Sequence, residues 1–432
     1  MRSIGKILIA VGPYVIVLTS CEEYATAVPA EQLVPASAST EMPDAYWPRW
    51  SGPNGDMISS ETGWNFKWTE SGPPLLWKTN VGTGFSSVAV ADNRLYTMGN
   101  RDGQDIVFCL DAATGNEIWQ HSYPCSLVDN MHEGGPGATP TIDGDRVYTL
   151  SREGHVFCLG ADDGAVQWST SIEEIVGVRH PEWGFTCSPR VLDGQLIVEV
   201  GHVLAMDKMT GDKKWQSETR YRPGYGSPAF FTQDGKQFIA VLNNDCLLVV
   251  SATDGKEIAT FEWETQHAMT SATPIVTGEG IFISSGYNRG CSLLRFAGQR
   301  LDAVYENRNM RNHFNNSVLL DGHLYGIDGN SHSSRNCKLV CLNLKSGEAI
   351  WSERGMGCGS LMAADGNLIV LSDDGVLSIV EATSNGYREL SKVRVLEGRC
   401  WTVPVLAGHM IYARNAPGEL VCVDVRATAK DD

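Results

Sequence analysis

Several common chemical signatures are missing from this chain. Its 12 cysteines form no CxxC, no haem-attachment CxxCH and no adjacent Cys-Cys pair, which removes thioredoxin-type redox chemistry and c-type haem at the level of motif. HExxH, GxSxG, the P-loop and zinc-finger spacings are absent as well, so no metalloprotease, serine hydrolase or nucleotide cradle is written in the sequence. Basic residues are few: 34 Lys and Arg stand against 51 Asp and Glu, for a formal charge of −17. Binding a phosphate backbone needs clustered cations, so nucleic acid is excluded as a partner. Helical periodicity lasts nowhere for more than a turn or two. What remains is a chain of 432 residues, 42% hydrophobic and 20% charged, long enough to bury a sizeable core.

The first twenty residues, MRSIGKILIAVGPYVIVLTS, place Arg2 and Lys6 before an apolar stretch too short and too interrupted by Gly and Pro to span a bilayer comfortably. Residues 1–20 therefore read as a signal peptide. Leu18-Thr19-Ser20 directly before Cys21 resembles the bacterial lipobox, in which the cysteine is lipidated and becomes the new N-terminus. The other reading is an ordinary signal peptide cut near Ala25 or Ala27; both export the chain. Residues 21–46 are rich in Ala, Pro, Glu, Ser and Thr without apolar periodicity and read as a tether. Fully extended, it reaches about 80 Å. Eleven cysteines remain after Cys21, so at least one thiol has no partner within the chain.

From residue 47 onward the sequence repeats. VFCLDAATGNEIW, VFCLGADDGAVQW, VLAMDKMTGDKKW and LVCLNLKSGEAIW, ending at Trp119, Trp168, Trp215 and Trp351, are copies of one unit, with weaker copies ending at Phe261, Tyr305 and Leu390. The C-terminal ELVCVDVRAT carries the first half of the unit without its aromatic, and the N-terminal LLWKT carries Trp77 without the first half. Together they make an eighth copy. Upstream of each unit lie two short β-branched runs separated by Asp-Gly or other Gly-containing turns, as in CSPRVLDGQLIVEV and NSVLLDGHLYGID. This is hairpin chemistry. Four short strands per 39 to 49 residues make one propeller blade. The expected architecture is all-β: an eight-bladed propeller over residues 47–426, closed by the N-terminal strand completing the last blade, with residues 427–432 as a tail. An open solenoid would need polar capping repeats, whereas this chain splits one repeat across its ends.

The D-x-x-[TS]-G-x-x-x-W unit resembles the tryptophan-docking motif of pyrroloquinoline-quinone (PQQ)-like repeat propellers, a group that includes the PQQ-dependent dehydrogenases and the BamB-type lipoproteins. WPRWSGPNGD and the segments around residues 307–329 and 396–425 are similar to a subfamily of bacterial PQQ-like repeat proteins. The resemblance implies that Trp77, Trp119, Trp168, Trp215 and Trp351 pack against neighbouring blades, and that Gly115, Gly164, Gly211, Gly255 and Gly347 make the tight turns after the third strands. Glycine is wanted there because positive φ is costly for other residues. Cys109, Cys158, Cys341 and Cys422 share one repeat position and read as small buried hydrophobes.

Residues that break the repeat are the candidates for decorating a propeller face. In the loops before the first strand of each blade these are His132, Glu182, Trp183, Tyr225, Tyr287, Arg289, Arg308, Arg311, Asn312, His313, Arg399, Trp401 and Arg414. Aromatic and Arg residues mixed with amides suit a polar or anionic ligand at a channel mouth. No catalytic residue and no metal site is expected from motif. The resemblance to BamB-type lipoproteins implies a non-catalytic, exported binding or scaffold module with envelope proteins as partners, touching the membrane only through its N-terminal lipid and needing no cofactor. The dehydrogenases imply an alternative, PQQ over Ca²⁺ oxidising an alcohol or sugar. Against it, their long insertions and adjacent cysteine pair are missing, and Glu182, Asn243 and Asn312 offer calcium ligands by type alone. A glycan stacked on Trp183, Tyr225, Tyr287 and Trp401 is the third reading.

Overall fold

The structure, a computed structural model, describes residues 45–427; the expected signal peptide, Cys21, the expected tether up to residue 44 and the last five residues lie outside the described residues. Eight four-stranded antiparallel blades follow one another at residues 89–124, 141–171, 190–216, 229–262, 275–307, 318–353, 360–394 and 405–424. The eighth takes its outer strand from the N-terminal side: Leu75–Asn80 pairs antiparallel with Glu419–Asp424. Asp193-Gly194, Asp234-Gly235, Asp321-Gly322 and Asp365-Gly366 are two-residue hairpin loops with positive φ at both positions, the geometry that favours Asp-Gly in the sequence. Apart from one short 3-10 turn, the only helix among the described residues is Ile172–Val176.

Each blade packs on its neighbours through both faces. This is why the third strands are continuous apolar runs, buried throughout in Ile106–Leu110, while the outermost strands alternate exposed and buried residues. The docking contact joins successive blades. A side chain at Gly115, Gly164, Gly211 or Gly255 would collide with the indole of Trp77, Trp119, Trp168 or Trp215 from the preceding blade, and one at Gly347 with the ring of Tyr305. The left-handed turn and the close approach thus both require glycine. Trp77, Trp119, Trp168 and Trp351 donate Nε1–H to a backbone carbonyl of the next blade. Trp215 does so through a relay, bonding Gln195 Oε1 while Gln195 Nε2 bonds the Ala252 carbonyl.

The repeated cysteine is part of the same device. Tyr96, Cys109 and Trp119 lie side by side across three strands, and Tyr148–Cys158–Trp168, Tyr325–Cys341–Trp351 and Tyr412–Cys422–Trp77 repeat the row. In the first, second and eighth blades the tyrosine hydroxyl and the tryptophan share one carbonyl of the next blade. A small thiol between two large rings lets both lie against that blade. All eleven described cysteines are free and buried.

Around the axis the blades are tied by a hydrogen-bond ring. Backbone N–H groups of Ser87, Thr139, Ser188 and Ser227 each donate to the hydroxyl of the equivalent residue one blade on, at 2.9–3.1 Å, and Thr273 donates to Asn316 Oδ1 at 3.0 Å. Asn315 bonds the Gly359 carbonyl, Ser360 the Trp401 carbonyl, and Ser87 Oγ the Val403 carbonyl, completing the circle.

Residues 45–59 then run across the axis as a strap. Trp47 exchanges backbone hydrogen bonds with Val90 of the first blade, the Pro48 carbonyl accepts from Ile142 of the second, and Ser51 Oγ accepts from Arg190 of the third. Trp50 donates to Thr273 Oγ1 of the fifth, and Ile58–Ser59 pairs parallel with Ala363–Ala364 of the seventh. The WPRWSGPNGD segment therefore closes the channel from one end.

Candidate functional site: a blind aromatic cup

The loops that enter the first strands surround a cavity of about 310 Å³ whose lining includes Trp50 of the strap. Its wall is set by one repeat position, two residues before the ring. That position holds Phe85, Gly137, Thr186, Tyr225, Ser271, Phe314 and Trp401 in the first to sixth and the eighth blades, all lining the cavity. Aromatics from blades one, six and eight form one continuous wall: Phe85 stacks on Trp401 at 5.5 Å between ring centroids, and Phe314 meets Trp401 at 4.3 Å. Small residues from blades two, three and five leave the opposite side open to the ring hydroxyls.

Of the residues singled out in the sequence, Trp183, Tyr225, Tyr287 and Trp401 line the cup, as do His132, His313 and Arg399. His132 lies 5.1 Å from the Trp183 ring, and its Nδ1 accepts the Gly134 N–H at 3.1 Å. His313 Nδ1 accepts the Ser331 N–H at 3.3 Å, and its Nε2 is buried without a partner. Burial lowers the pKa of both imidazoles, His313 to about 4, so both are neutral at pH 7 and carry their proton on Nε2. The Arg399 guanidinium covers the Trp401 ring at 4.3 Å and pairs with Glu133 at 3.3 Å.

The other six stand elsewhere. Glu182 points to solvent, and Arg308 is exposed outside the cup. Arg289 covers Trp263 at 3.6 Å and bonds Glu306. Arg311 makes a bidentate pair with Asp328 at 2.7 and 2.6 Å. Asn312 is buried, bonding Asn315, Ser317 and the Ile327 carbonyl. Arg414 is no rim residue at all: it is 1% exposed and clamps the eighth blade to the first. Arginines and amides break the repeat for structural reasons as readily as for functional ones. Phe85, Met269 and His332 line the cup without having been singled out, and Phe314 joins them from the candidate loop of residues 308–316. The two phenylalanines were readable as Phe-Ser-Ser and Phe-Asn-Asn at a fixed offset from the first strand.

The donor set does not suit a calcium–quinone site. No carboxylate and no side-chain amide lines the cup, whereas Ca²⁺ needs six to eight oxygens, carboxylates among them. The described residues contain no group of three or more His, Cys, Asp and Glu side chains able to hold a metal. Asn243 is spent on the backbone N–H groups of Asp245 and Cys246.

Fold, docking rows and cup define an eight-bladed PQQ-like repeat propeller with a binding cup on its axis. The chain belongs to the family described as outer membrane protein assembly factor BamB, whose model matches residues 103–353. The outer membrane protein assembly factor BamB of Yersinia pestis is 23% identical over 367 residues, covering 79% of this chain and 87% of that protein. The BamB of Shewanella oneidensis is 22% identical over 381 residues, covering 81% and 89%. The crystal structure of BamB from Moraxella catarrhalis superposes with a TM-score of 0.58 at 16% identity, covering 82% of this chain and 98% of that one. The quinohemoprotein alcohol dehydrogenase of Comamonas testosteroni reaches 0.67 at 13% identity over 93% and 84%. At such identities the structures establish a shared fold.

Proposed function

We propose that this chain is an exported, lipid-anchored propeller of the cell envelope that acts as a binding and scaffold module, holding a segment of a partner protein in the cup. The observation that carries the reading is the cup itself, blind at the strap, walled by aromatics and bordered by an apolar lip. Leu127, Val128 and Met131 of the loop before the second blade are exposed, Met131 by 81%, immediately before the cup residue His132. Exposed apolar side chains beside an aromatic pocket form the anchor-and-rim pattern of a protein interface. The assembly-factor names of the relatives and the lipobox-like Cys21 support an envelope location.

Two experiments test it. Cys21→Ala should move the protein from the membrane fraction to the soluble periplasmic fraction, and retention in the membrane would overturn the lipid anchor. A photo-crosslinking residue at position 131 of the full chain in its host should give a discrete protein adduct that weakens at least fivefold when Trp183 is replaced by Ala. An adduct pattern matching that of a probe at Lys214 on the outer edge would overturn the assignment of this face.

The dehydrogenase-like neighbours share the fold, but the cup offers calcium no carboxylate, and the module is proposed to work without PQQ or Ca²⁺. Titration of the full chain with both should give no saturable heat. Stoichiometric binding would reverse that conclusion.

A further inference from the structure

The cup has two chemically distinct sides, and the hydrogen-bond inventory of the second defines what can enter. Ser188 Oγ, Ser227 Oγ and Thr273 Oγ1 line the cavity, and each accepts a backbone N–H from the preceding blade; Thr273 also accepts from Trp50. Among the described residues none of the three donates its own proton to a protein acceptor. A hydroxyl whose oxygen is held in this way still has one O–H to offer. The two neutral imidazoles add to this. With Nδ1 held as an acceptor on a backbone N–H, His132 and His313 each present Nε2–H, and that of His313 is buried and unpaired. Opposite the hydroxyls stands the Phe85–Trp401–Phe314 wall, with the two imidazoles at its ends, His132 5.2 Å from Phe85 and His313 4.7 Å from Phe314 between ring centroids. Aspartate, glutamate, asparagine and glutamine are all missing from the lining.

Donors without matching acceptors select strongly. A ligand that brings acceptors satisfies unspent donors, while N–H or O–H groups buried in the cup meet only remaining hydroxyl lone pairs and no carboxylate or amide oxygen, and each one left unpaired costs more than an average hydrogen bond gains. An ammonium group fares worst, because the cup offers it no carboxylate and the Trp401 face that a cation would take is already covered by the Arg399 guanidinium. A sugar fits the aromatic wall through its C–H face but carries hydroxyl donors that find no carboxylate or amide.

We infer that the cup takes an aromatic group bearing carbonyl or carboxylate oxygens and no positive charge, the ring lying against Phe85, Trp401 and Phe314 and the oxygens facing Ser188, Ser227, Thr273 and the imidazole N–H groups. This rests on the cup being the partner site, and names the chemistry of the anchor that site accepts. It turns the third reading of the sequence, a glycan on the same aromatics, into a competitor that can be measured.

Four probes of similar size decide it, each titrated against the full chain by calorimetry: phenylpropionate, N-acetylphenylalaninamide, phenylethylamine and phenyl glucoside. Phenylpropionate or N-acetylphenylalaninamide should saturate at least tenfold more tightly than phenylethylamine and phenyl glucoside. Comparable binding of the first two identifies a phenylalanine within a polypeptide as sufficient, and binding of phenylpropionate alone identifies a free carboxylate as the element required. Equal or tighter binding of the amine or the glucoside, or saturation by none of the four, would overturn the inference. A variant sharpens the test. Ser227→Asp keeps an oxygen to accept the Ser188 N–H, as Asn316 Oδ1 does at the equivalent position, but replaces the free donor by a negative acceptor. The preference should then shift at least tenfold toward phenylethylamine. Should Ser227→Asp fail to fold, His313→Phe removes a donor from the other side and should weaken the oxygen-bearing probes at least threefold while leaving the amine unchanged. Loss of all probe binding with the Met131 adduct intact would sink the ligand chemistry and leave the partner site standing.

Discussion

Replacing Arg414 by Met is expected to lower the melting temperature by about 5 °C, and replacing it by Lys to lower it at least as much. Arg414 sits in the second strand of the eighth blade, fully buried. Its Nη1 donates to the Ser86 carbonyl at 3.0 Å, Thr97 Oγ1 at 3.1 Å and the Met98 carbonyl at 2.7 Å, and its Nη2 to the Gly82 carbonyl at 3.0 Å. Every acceptor belongs to the first blade or to the segment leading into it. Ring closure here is thus made twice, once by the strand Leu75–Asn80 and once by a single guanidinium. Burial pushes that guanidinium down to about 9, so it remains charged at pH 7. Two effects oppose each other in the Met variant. Removing a buried charge relieves a desolvation cost of several kcal/mol, while four hydrogen bonds to a charged donor, about 1.5–3 kcal/mol each, are lost. The second sum is the larger, leaving a net loss of about 3 kcal/mol. Lysine keeps the charge but offers one compact ammonium where a planar fork reached acceptors in two directions, so the cost stays while part of the bonding goes. Thermal unfolding of the two variants checks this, and a Met variant as stable as the parent would show that the charge burial dominates.

Most of the fold was legible because its signals are local and repeated. The Asp-Gly turns, the glycine four residues before Trp119, Trp168, Trp215 and Trp351, and the half-repeats at the two ends are all constraints of backbone geometry, and they lead directly to eight blades and a closed ring. The strap was not legible. WPRWSGPNGD has no periodicity, and its role depends on contacts with blades whose sequences lie up to about 300 residues away. The tyrosine of each Tyr–Cys–Trp row was visible in the second strands, in VYTL and LYGI, yet only a three-strand register shows why a cysteine recurs beside it.

The site was partly legible, and the physical reason is instructive. Looking for residues that break the repeat finds Trp183 and His313, but it also gathers Arg311 and Arg414, whose charges are held inside the structure by Asp328 and by backbone carbonyls. The cup wall follows a different rule. It occupies a fixed position in seven of the eight blades and varies only in side-chain size, large in blades one, four, six and eight and small in two, three and five. Periodic position with aperiodic chemistry is the pattern to search for in a propeller sequence, because the ring hydrogen bonds hold the backbone at that position while its side chain is free to face the axis.

One turn after a second strand carries a pH-sensitive residue. In the fourth and eighth blades the turn after the second strand is capped by Asn243 and Asn415, and in the second and seventh by Ser151 and Ser372. The third blade has Val200 at that position and caps the turn instead from the last residue of the strand, Glu199. Its carboxyl is buried and accepts from the backbone N–H groups of Gly201 and Gly224, both at 2.9 Å, with no cation beside it. Burial raises it to about 8, against the partial relief given by those two bonds. The sign follows from proton counting. Below pH 4.5 the folded and unfolded chains both hold the proton and the contribution is complete. Between 4.5 and 8 the unfolded chain ionises while the folded one keeps its proton, so stability falls as pH rises, by up to about 5 kcal/mol in all. Glu199→Gln cannot ionise and gives up one of the two bonds, since its amide nitrogen is a donor facing a donor, a cost of about 1–2 kcal/mol. The variant should therefore melt below the parent at pH 5 and above it at pH 9, and parallel melting curves at the two pH values would refute the raised carboxyl. His313 titrates with the opposite sign: held down to about 4 by burial, it removes stability as pH falls through 6.5. Because Gly224 leads directly into Tyr225 and Ser227, ionisation of Glu199 acts on the segment that supplies one aromatic and one free hydroxyl to the cup. Affinity of the parent for an oxygen-bearing probe should thus weaken above pH 8, and Glu199→Gln should abolish that weakening.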